Sequence, residues 1–172
     1  MILMSADTFT TALFLITAVI AAGVLISAIF PVFYQMSGTF TATGHAADQQ
    51  LRTNIQIVLD VANTNQYARV WIKNTGSTRI AVADIQRSDV FCGDAGNFKM
   101  LTLAPPPVAS LADGQWTYSL NDLNSNNFWD PGETLEVDAH TSTIQTSNPV
   151  YFQFVLPNGI SCSDQFMVST TT

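Results

Sequence analysis

Residues 11–34 read TALFLITAVIAAGVLISAIFPVFY and contain no charged side chain. This apolar run of 24 residues can cross a bilayer core as a helix, which takes about 20 residues. A core helix of a soluble protein is rarely apolar on every side over such a length. A cleaved signal peptide fits less well, because residues 1–10 carry no Lys or Arg. The stretch therefore predicts one long apolar helix that lies in a membrane or in a bundle of similar helices.

Small side chains recur within this helix at a spacing of four residues. The pairs are Ala18 with Ala22 and Gly23 with Ser27. Small residues at this spacing allow two apolar helices to approach closely, so we expect the four residues to form a packing face between identical helices. A plain membrane anchor that tolerates Ala and Gly is the alternative, and the composition leaves it open.

The helical pattern continues beyond the apolar run. We expect Pro31 to kink the helix. Beyond it, apolar residues recur at steps that keep them on one side of the helix: Met36, Phe40, Ala47 and Leu51. A helix from about Ser5 to Gln50 would be roughly 65–70 Å long. That is more than twice a bilayer core, so we assign 1–50 as a first domain whose helix needs a partner other than lipid alone.

The hydrophobic period changes to two at Arg52, where a β-domain covering 51–172 begins. Turn residues separate most of the predicted strands, and the helical period does not return. The predicted strands are 55–61, 67–73, 79–83, 88–92, 98–103, 115–120, 134–139, 150–156 and 164–169. The fold class is therefore α+β, with a long N-terminal apolar helix followed by an antiparallel Ig-like β-sandwich or barrel.

Charge excludes several classes of partner. The chain has 6 Lys and Arg against 13 Asp and Glu, a net charge of −7, and a pI near 4.3. No basic cluster is present to neutralise phosphates, so we expect no nucleic-acid partner. A polybasic membrane-surface binder is excluded on the same ground.

The two cysteines, Cys92 and Cys162, fit no zinc pattern with His45 and His140. We expect a disulfide between them, because a membrane segment followed by a Ser/Thr/Asn-rich β-domain favours an oxidising setting outside the cytoplasm. Two buried thiols that act as small apolar side chains are the alternative.

A loop between two predicted strands has the spacing of a calcium-binding loop. Counted from Asp122 as position 1, its oxygen donors fall at positions 1, 3, 5, 7, 9 and 12. They are Asp122, Asn124, Asn126, the backbone carbonyl of Phe128, Asp130 and Glu133. Asn127 at position 6 can adopt the left-handed backbone that usually requires Gly. The sequence predicts a Ca²⁺-stabilised turn, and an Asx-rich turn without metal is the alternative.

Enzymatic function is not predicted. His45 and His140 are the only histidines that could act as a base, and neither lies in a catalytic motif. The glycines are scattered at turns and form no phosphate loop.

Three stretches carry a resemblance to a known family. They are Leu51-Arg52-Thr53 before the first strand, Val70 to Ser77 (VWIKNTGS), and Phe152 to Gly159 (FQFVLPNG). With the apolar helix, they resemble the FlaG/FlaF-type archaellin-like proteins of the archaeal swimming filament, the archaellum, in the archaeal flagellin family. The resemblance covers most of the chain.

The resemblance implies a structural protein outside the cell, in the filament or anchored in the cytoplasmic membrane with an external β-domain. As a filament subunit the chain would polymerise through its helix. As a membrane-anchored stator it would contact the cell-surface layer. Filament-forming members have a basic leader ending in Gly, and nothing upstream of Ala6 is basic or Gly, which favours the stator. The helix length favours the filament, and a membrane-anchored surface adhesin is the third interpretation.

Overall fold

The structure is a computed structural model that describes residues 3–108 and 110–169. The remaining residues of the predicted 1–50 and 51–172 domains lie outside the described part. The chain divides into two compact units, one up to Ala47 and one from Asp48.

The described part of the first unit lies within helix α1, which spans Leu3–Arg52 and contains Pro31. The helix agrees closely with the predicted limits of Ser5 and Gln50. Its segment Asp7–Met36, with a mean hydropathy of 2.7, is long and apolar enough to cross a membrane. Every side chain from Asp7 to Met36 is exposed, so this apolar surface has no partner within the described chain.

The second unit contains ten strands and one short helix. In chain order they are β1 (Ile55–Ala62), β2 (Tyr67–Asn74), β3 (Ile80–Ala81), α2 (Val82–Gln86), β4 (Asp89–Asp94), β5 (Asn97–Leu103), β6 (Gln115–Leu120), β7 (Phe128–Trp129), β8 (Thr134–His140), β9 (Val150–Val155) and β10 (Ser161–Phe166). The predicted fold class of an apolar helix followed by a mostly antiparallel, barrel-like β-domain is confirmed.

One predicted strand is largely wrong. Residues 79–83 form only the two-residue strand β3, and the chain then turns into α2. Helix α2 buries Ile85 completely, and the Val82 N–H donates to the Asn127 carbonyl. A single buried residue in a five-residue helix leaves no hydrophobic period to detect, so tertiary contacts decide this segment.

The strands form a main sheet in the order β1-β2-β8-β6-β5-β4-β9-β10, and β3 pairs with β7 beside it. All pairings are antiparallel except that of β5 with β6. The two ends of the main sheet meet at a parallel bridge between Ala62 and Val168. The sheet therefore closes on itself, which leaves few backbone groups unpaired at its edges.

The core lies inside this closed sheet. Its largest fully buried side chains include Trp116, Trp129, Phe152 and Phe154. The Phe154 ring meets both Trp116 and Trp129 edge to face, at centroid distances of 6.2 and 6.5 Å. Because every buried apolar residue of the described chain lies between Ile55 and Val168, the β-domain has a core of its own.

Candidate functional site

The loop from Asp122 to Glu133 is organised around its first carboxylate. Asp122 Oδ1 accepts hydrogen bonds from the backbone N–H groups of Asn124 and Asn126, and Oδ2 accepts one from Asn127. The chain can wrap so tightly because Ser125 and Asn127 have φ values of 57° and 60°. The left-handed backbone predicted at Asn127 is thus present, and it aims successive N–H groups at one side chain.

Two further carboxylates close the loop. Asp130 Oδ2 accepts from the side-chain amides of Asn124 and Asn126 at 2.8 and 2.7 Å. Buried Glu133 spans the two ends, with Oε1 bound to the Leu123 N–H and Oε2 to the Asp130 N–H. All five predicted side-chain ligands therefore belong to one hydrogen-bonded network.

The network contains the residue types that a hard cation prefers, namely three carboxylates and two side-chain amides. The geometry is that of a loop closed by its own hydrogen bonds. The amide nitrogens of Asn124 and Asn126 point at Asp130, while their oxygens accept backbone N–H groups. Across residues 3–108 and 110–169, no three His, Cys, Asp or Glu side chains are grouped so that they could hold a metal. For their oxygens to face Asp130 as cation ligands, the side-chain amides of Asn124 and Asn126 would both have to flip.

The hydrogen bonds alter the acidity of Asp122. Desolvation raises the pKa of this carboxyl, but backbone N–H groups, first those of Asn127 and Asn126, hold the pKa below its ordinary value near 3.8. The charged form is therefore favoured in the folded loop.

The loop is attached to the core by a residue that the sequence analysis did not single out. Trp129 is fully buried, and its indole N–H donates to the Glu133 carbonyl at 2.9 Å. The neighbouring Phe128, predicted as a carbonyl ligand, lies in β7 with its ring under the guanidinium of Arg79 at 4.5 Å. The sequence did contain a signal of this attachment: a Trp inside an Asx-rich loop, whose large apolar side chain has to be buried.

Asn74 joins this loop to the end of β2. Its side-chain amide donates to the carbonyls of Thr78 and Trp129, each at 3.0 Å, and its Oδ1 accepts the Gly76 N–H. Its backbone N–H donates to the Glu133 carbonyl, and its carbonyl accepts the Gly132 N–H. Asn74 is fully buried, and all of its hydrogen-bonding groups are used.

The turn after Asn74 also holds the last residues of α1. The N–H groups of Thr75 and Gly76 donate to the Asn54 carbonyl, and that of Ser77 donates to the Arg52 carbonyl. A Cβ at position 76 would lie 2.4 Å from the Arg52 oxygen and 2.5 Å from the Asn54 nitrogen. Only Gly fits this close approach. We call residues 52–54 and 74–78 together the junction turn.

The predicted helix-packing residues are all exposed on α1. A Cβ added at Gly23 would meet no atom within 4 Å, and the Ser27 hydroxyl donates to the Gly23 carbonyl. Because consecutive residues rotate by about 100° on an α-helix, Ala18/Ala22 and Gly23/Ser27 lie about 140° apart. The four residues therefore form two stripes rather than one face.

The predicted disulfide is wrong for this fold, and both thiols are free. Cys92 on β4 is paired with Phe152, and Cys162 on β10 with Phe154. Strand β9 lies between β4 and β10, which places these strands about 9–10 Å apart, whereas a disulfide needs Cα atoms within about 7 Å. Burial raises the pKa of both thiols to about 12.

Of the two histidines named in the sequence, the side chain of His45 lies outside the described residues. His140 ends β8 and stacks on Tyr67 with a centroid distance of 4.3 Å. His45 belongs to α1, in the other unit.

Comparison with known proteins places these features in a family. The model of archaeal-type flagellin matches residues 5–166. The periplasmic stator protein FlaG of Sulfolobus acidocaldarius has a TM-score of 0.52 and 23% identity over 66% of this chain and 99% of its own. Flagellin FlaB1 of Methanocaldococcus jannaschii has a TM-score of 0.56 and 16% identity over 70% of this chain and 92% of its own. The flagellum of Methanospirillum hungatei has a TM-score of 0.50 and 14% identity, with 91% and 93% covered.

Proposed function

The chain belongs to the archaeal-type flagellin family, and on that premise we propose that it is a structural subunit of the archaellum filament, polymerising through its N-terminal helix. It is an archaellum-related protein of a family whose members are structural and not enzymes. The finer assignment, to the filament, is argued below from the helix.

The observation that carries this proposal is the unpartnered apolar surface of α1. The helix has 50 residues, which corresponds to roughly 75 Å, while a bilayer core is about 30 Å thick. The apolar segment Asp7–Met36 has 30 residues, or roughly 45 Å, so a bundle of identical helices covers all of it, whereas a bilayer core covers about two thirds. The family match supports this view because it includes the helix, and the fold likeness to the M. hungatei flagellum covers 91% of this chain.

The two small-residue stripes add a geometric argument. Helices that meet in pairs need one close-packing face, but a helix in the interior of a filament meets several neighbours. Stripes about 140° apart allow two neighbours to approach closely at once, one over Ala18 and Ala22 and the other over Gly23 and Ser27.

A membrane-anchored stator or accessory protein that contacts the cell-surface layer is the second candidate. The segment Asp7–Met36 can cross a membrane, and the β-domain resembles the stator protein FlaG in fold. In this case the β-domain would lie outside the cytoplasmic membrane, and α1 would need a second helical partner for its remaining length.

The two candidates are separated by finding where the protein is located. Filaments sheared from the native cells are imaged by electron microscopy, and their subunits are identified by mass spectrometry together with the first residue of each. If this chain is the main component, the filament assignment stands. If it occurs only in the membrane fraction, the stator assignment replaces it.

The helix contacts are tested with Gly23→Leu, which places a large side chain on one of the two stripes. We expect filaments to be lost while the β-domain stays folded, because the bulky residue separates neighbouring helices. Thr17→Leu adds a comparable side chain at a position outside both stripes and serves as the control. Normal filaments from Gly23→Leu would refute the packing geometry.

We also propose that the loop 122–133 binds Ca²⁺ and is stabilised by it. The candidate ligands are Asp122, Asn124, Asn126, the Phe128 carbonyl, Asp130 and Glu133. Ca²⁺ would supply a charge that attracts the three carboxylates to one point. What supports the proposal is the hard-oxygen donor set on a tightly wrapped backbone, and the hydrogen-bonded loop without metal is the competing interpretation.

Thermal unfolding of the full chain in detergent tests this proposal. With an affinity of about 10⁻⁴ to 10⁻³ M, typical of extracellular modules, about 10 mM Ca²⁺ stabilises by about 1.4–2.7 kcal/mol, or roughly 5–15 °C in Tm. Asp122→Ala should remove the Ca²⁺-dependent shift, while Asp89→Ala, an exposed carboxylate outside the loop, should keep it. Identical melting curves with Ca²⁺ and with chelator would show that the loop is a hydrogen-bonded turn that Ca²⁺ does not stabilise.

A further inference from the structure

The outer side of strands β2, β8 and β6 lines a cavity of about 640 Å³, a volume typical of small-molecule sites. The strand register places Arg69, Asp138 and Thr117 side by side across the three strands. Tyr67 and Trp71 lie two residues on either side of Arg69 along β2, so strand alternation puts them on the same side of the sheet. The cavity is completed by the end of β1, the turn after it and the segment before β6, through Val61, Asn63, Val108 and Leu111. We call it the sheet cavity.

An ion pair lies at the centre of the sheet cavity. Arg69 Nε and Nη2 donate to the two carboxylate oxygens of Asp138 at 2.6 and 3.2 Å, and Glu136 lies 3.2 Å from Nε. Because this guanidinium is engaged by two acids and no other cation lines the cavity, a phosphate or sulfate finds no free positive charge there. The pair still holds unused donors and acceptors next to one another. A hydroxyl group, which both donates and accepts, can use them without separating the pair.

The two aromatic residues of the sheet cavity have already used their polar groups. The Trp71 indole N–H donates to Glu136 Oε2 at 2.9 Å. The Tyr67 hydroxyl donates to the Leu111 carbonyl at 3.4 Å. Neither group is therefore available to bind the carbonyls of a proline-rich peptide, the ligand that aromatic grooves often take. What both residues still offer is apolar ring surface. A pyranose ring matches this combination, because it presents C–H groups on a flat side and hydroxyl groups around its rim.

Thr117 adds a polar group that lacks a partner. Its side chain lines the sheet cavity, and its hydroxyl is shielded from solvent and has no hydrogen-bond partner among residues 3–108 and 110–169. A shielded hydroxyl without a partner is unfavourable. A bound hydroxyl group would supply the partner once the Thr117 side chain changes its χ1 rotamer.

A second cavity of about 230 Å³ shares Trp71 with the first. Apart from Trp71 it is lined by hydroxyl, amide and carboxylate side chains, namely Ser119, Asn121, Thr134 and Glu136. A ligand that crosses the Trp71 ring therefore meets the same polar chemistry on both sides. This continuity suits a chain of sugar rings better than a single compact molecule.

We propose that the sheet cavity binds a neutral saccharide. The Trp71 and Tyr67 rings contact the C–H side of the sugar, while Asp138, Arg69 and Thr117 hydrogen-bond its hydroxyl groups. The site goes beyond both candidate roles of the protein. It lies wholly in the β-domain and uses no residue of α1, so it is available to a filament subunit and to a stator protein alike.

The proposal is tested by saccharide titration of the full-length chain in a detergent without a sugar head group. Trp71 is the natural reporter, because Trp116 and Trp129 expose only 1% and 0% of their surface. The probes are mono- and trisaccharides of glucose, mannose, galactose and N-acetylglucosamine, and the neutral glycans released from the surface of the native cells. We expect a saturable change in tryptophan fluorescence with at least one of them. Sorbitol, which has the hydroxyl groups without the ring, should cause none. Tighter binding of a trisaccharide than of its monosaccharide identifies a glycan as the source, and equal affinities identify a free sugar.

Two substitutions test the residues of the site. Thr117→Val keeps the shape of the side chain and should weaken saccharide binding about threefold to tenfold, the effect of one hydrogen bond. Its Tm should stay unchanged or rise slightly, because an unpaired buried hydroxyl is removed. Thr146→Val, at an exposed position in the loop before β9, is the matched control and should bind normally. Asp138→Asn should weaken binding about tenfold or more through the loss of charged hydrogen bonds, whereas Asp89→Asn should not.

Three results would overturn the proposal. The first is the absence of a saturable change with every saccharide and with the released glycans. The second is equal binding by the parent chain, the T117V variant and the D138N variant. The third is saturable binding of a decaproline peptide or of sorbitol that equals or exceeds that of the saccharides. Because filaments are scored separately by microscopy, failure of this site is distinguishable from failure of the filament assignment.

Discussion

Replacement of Asn74 by Ala should weaken the β-domain more than most single polar substitutions. The side chain is fully buried and makes three hydrogen bonds, each 3.0 Å long, to Thr78, Trp129 and Gly76. At about 0.5–1.5 kcal/mol for each bond, the loss is about 1.5–4.5 kcal/mol. The Trp129 carbonyl would be left without this donor in a buried site and the Thr78 carbonyl in a partly buried one, which places the expected loss in the upper half of that range.

The loss can be measured as a change in thermal unfolding of the full chain in detergent. A destabilisation of about 3 kcal/mol corresponds to a fall in Tm of roughly 10–15 °C for a domain of this size. Tryptophan fluorescence adds a second probe, because Trp129, one of the three tryptophans, accepts one of the three bonds through its carbonyl. Near-ultraviolet circular dichroism reports the other buried aromatic rings.

Two variants serve as controls for this measurement. Asn65→Ala removes an exposed amide from the turn at the other end of β2 and should change stability by less than about 0.5 kcal/mol. Asn74→Asp keeps the shape but places an acceptor against the Thr78 and Trp129 carbonyls, so it should be at least as destabilising as Asn74→Ala at pH 7. If Asn74→Ala melts within a degree or two of the parent chain, Asn74 does not hold the loop and β2 together.

Two further predictions concern the same region. Gly76→Ala should destabilise the β-domain by about 1–3 kcal/mol through overpacking, because the added Cβ would meet the backbone of Arg52 and Asn54 at 2.4 and 2.5 Å. Denaturant unfolding measures this loss, and an unchanged midpoint would contradict it. Ionised Asp122, whose pKa lies below its ordinary value near 3.8 when folded, contributes stability that is present above that value and lost as the pH falls through its folded pKa. Asp122→Asn should therefore flatten the fall in Tm below pH 4, and a parallel pH profile in both proteins would contradict this sign.

The sequence predicts the parts of this fold that rest on local periodicity. The apolar run of α1 and the alternation in β1, β2 and β8 each reflect one buried or lipid-compatible surface, which a pattern of period 3.6 or 2 reveals. Helix α2 cannot be predicted in this way, because its five residues are fixed by the burial of Ile85 and by a hydrogen bond from the Val82 N–H to the Asn127 carbonyl. The wrong disulfide has a different cause. Strand order is a property of the whole sheet, and no feature near Cys92 or Cys162 shows that β9 separates them.

In the candidate loop, too, the local features could be predicted from the sequence and a long-range contact could not. Its oxygen-bearing residues and the left-handed Asn127 follow from spacing and from the chemistry of Asn and Asp, so they could be predicted. The role of Asn74 could not, because it lies 48 residues before Asp122 and meets the loop only through the carbonyl of Trp129 and the backbone of Gly132 and Glu133. A long-range contact of this kind depends on the register of β2 with β8.

The junction turn shows what the stretch VWIKNTGS does in this chain, and none of it indicates the role of the protein. Val70 and Ile72 are buried in the core, Asn74 binds the acidic loop, and Gly76 accommodates the backbone of Arg52 and Asn54. Each of these tasks belongs to the construction of the β-domain, which a filament subunit and a stator protein need equally. The role must therefore depend on surfaces that the junction turn does not reach. In this chain the two small-residue stripes of α1 are such a surface, and Gly23→Leu changes one of them without altering the junction turn.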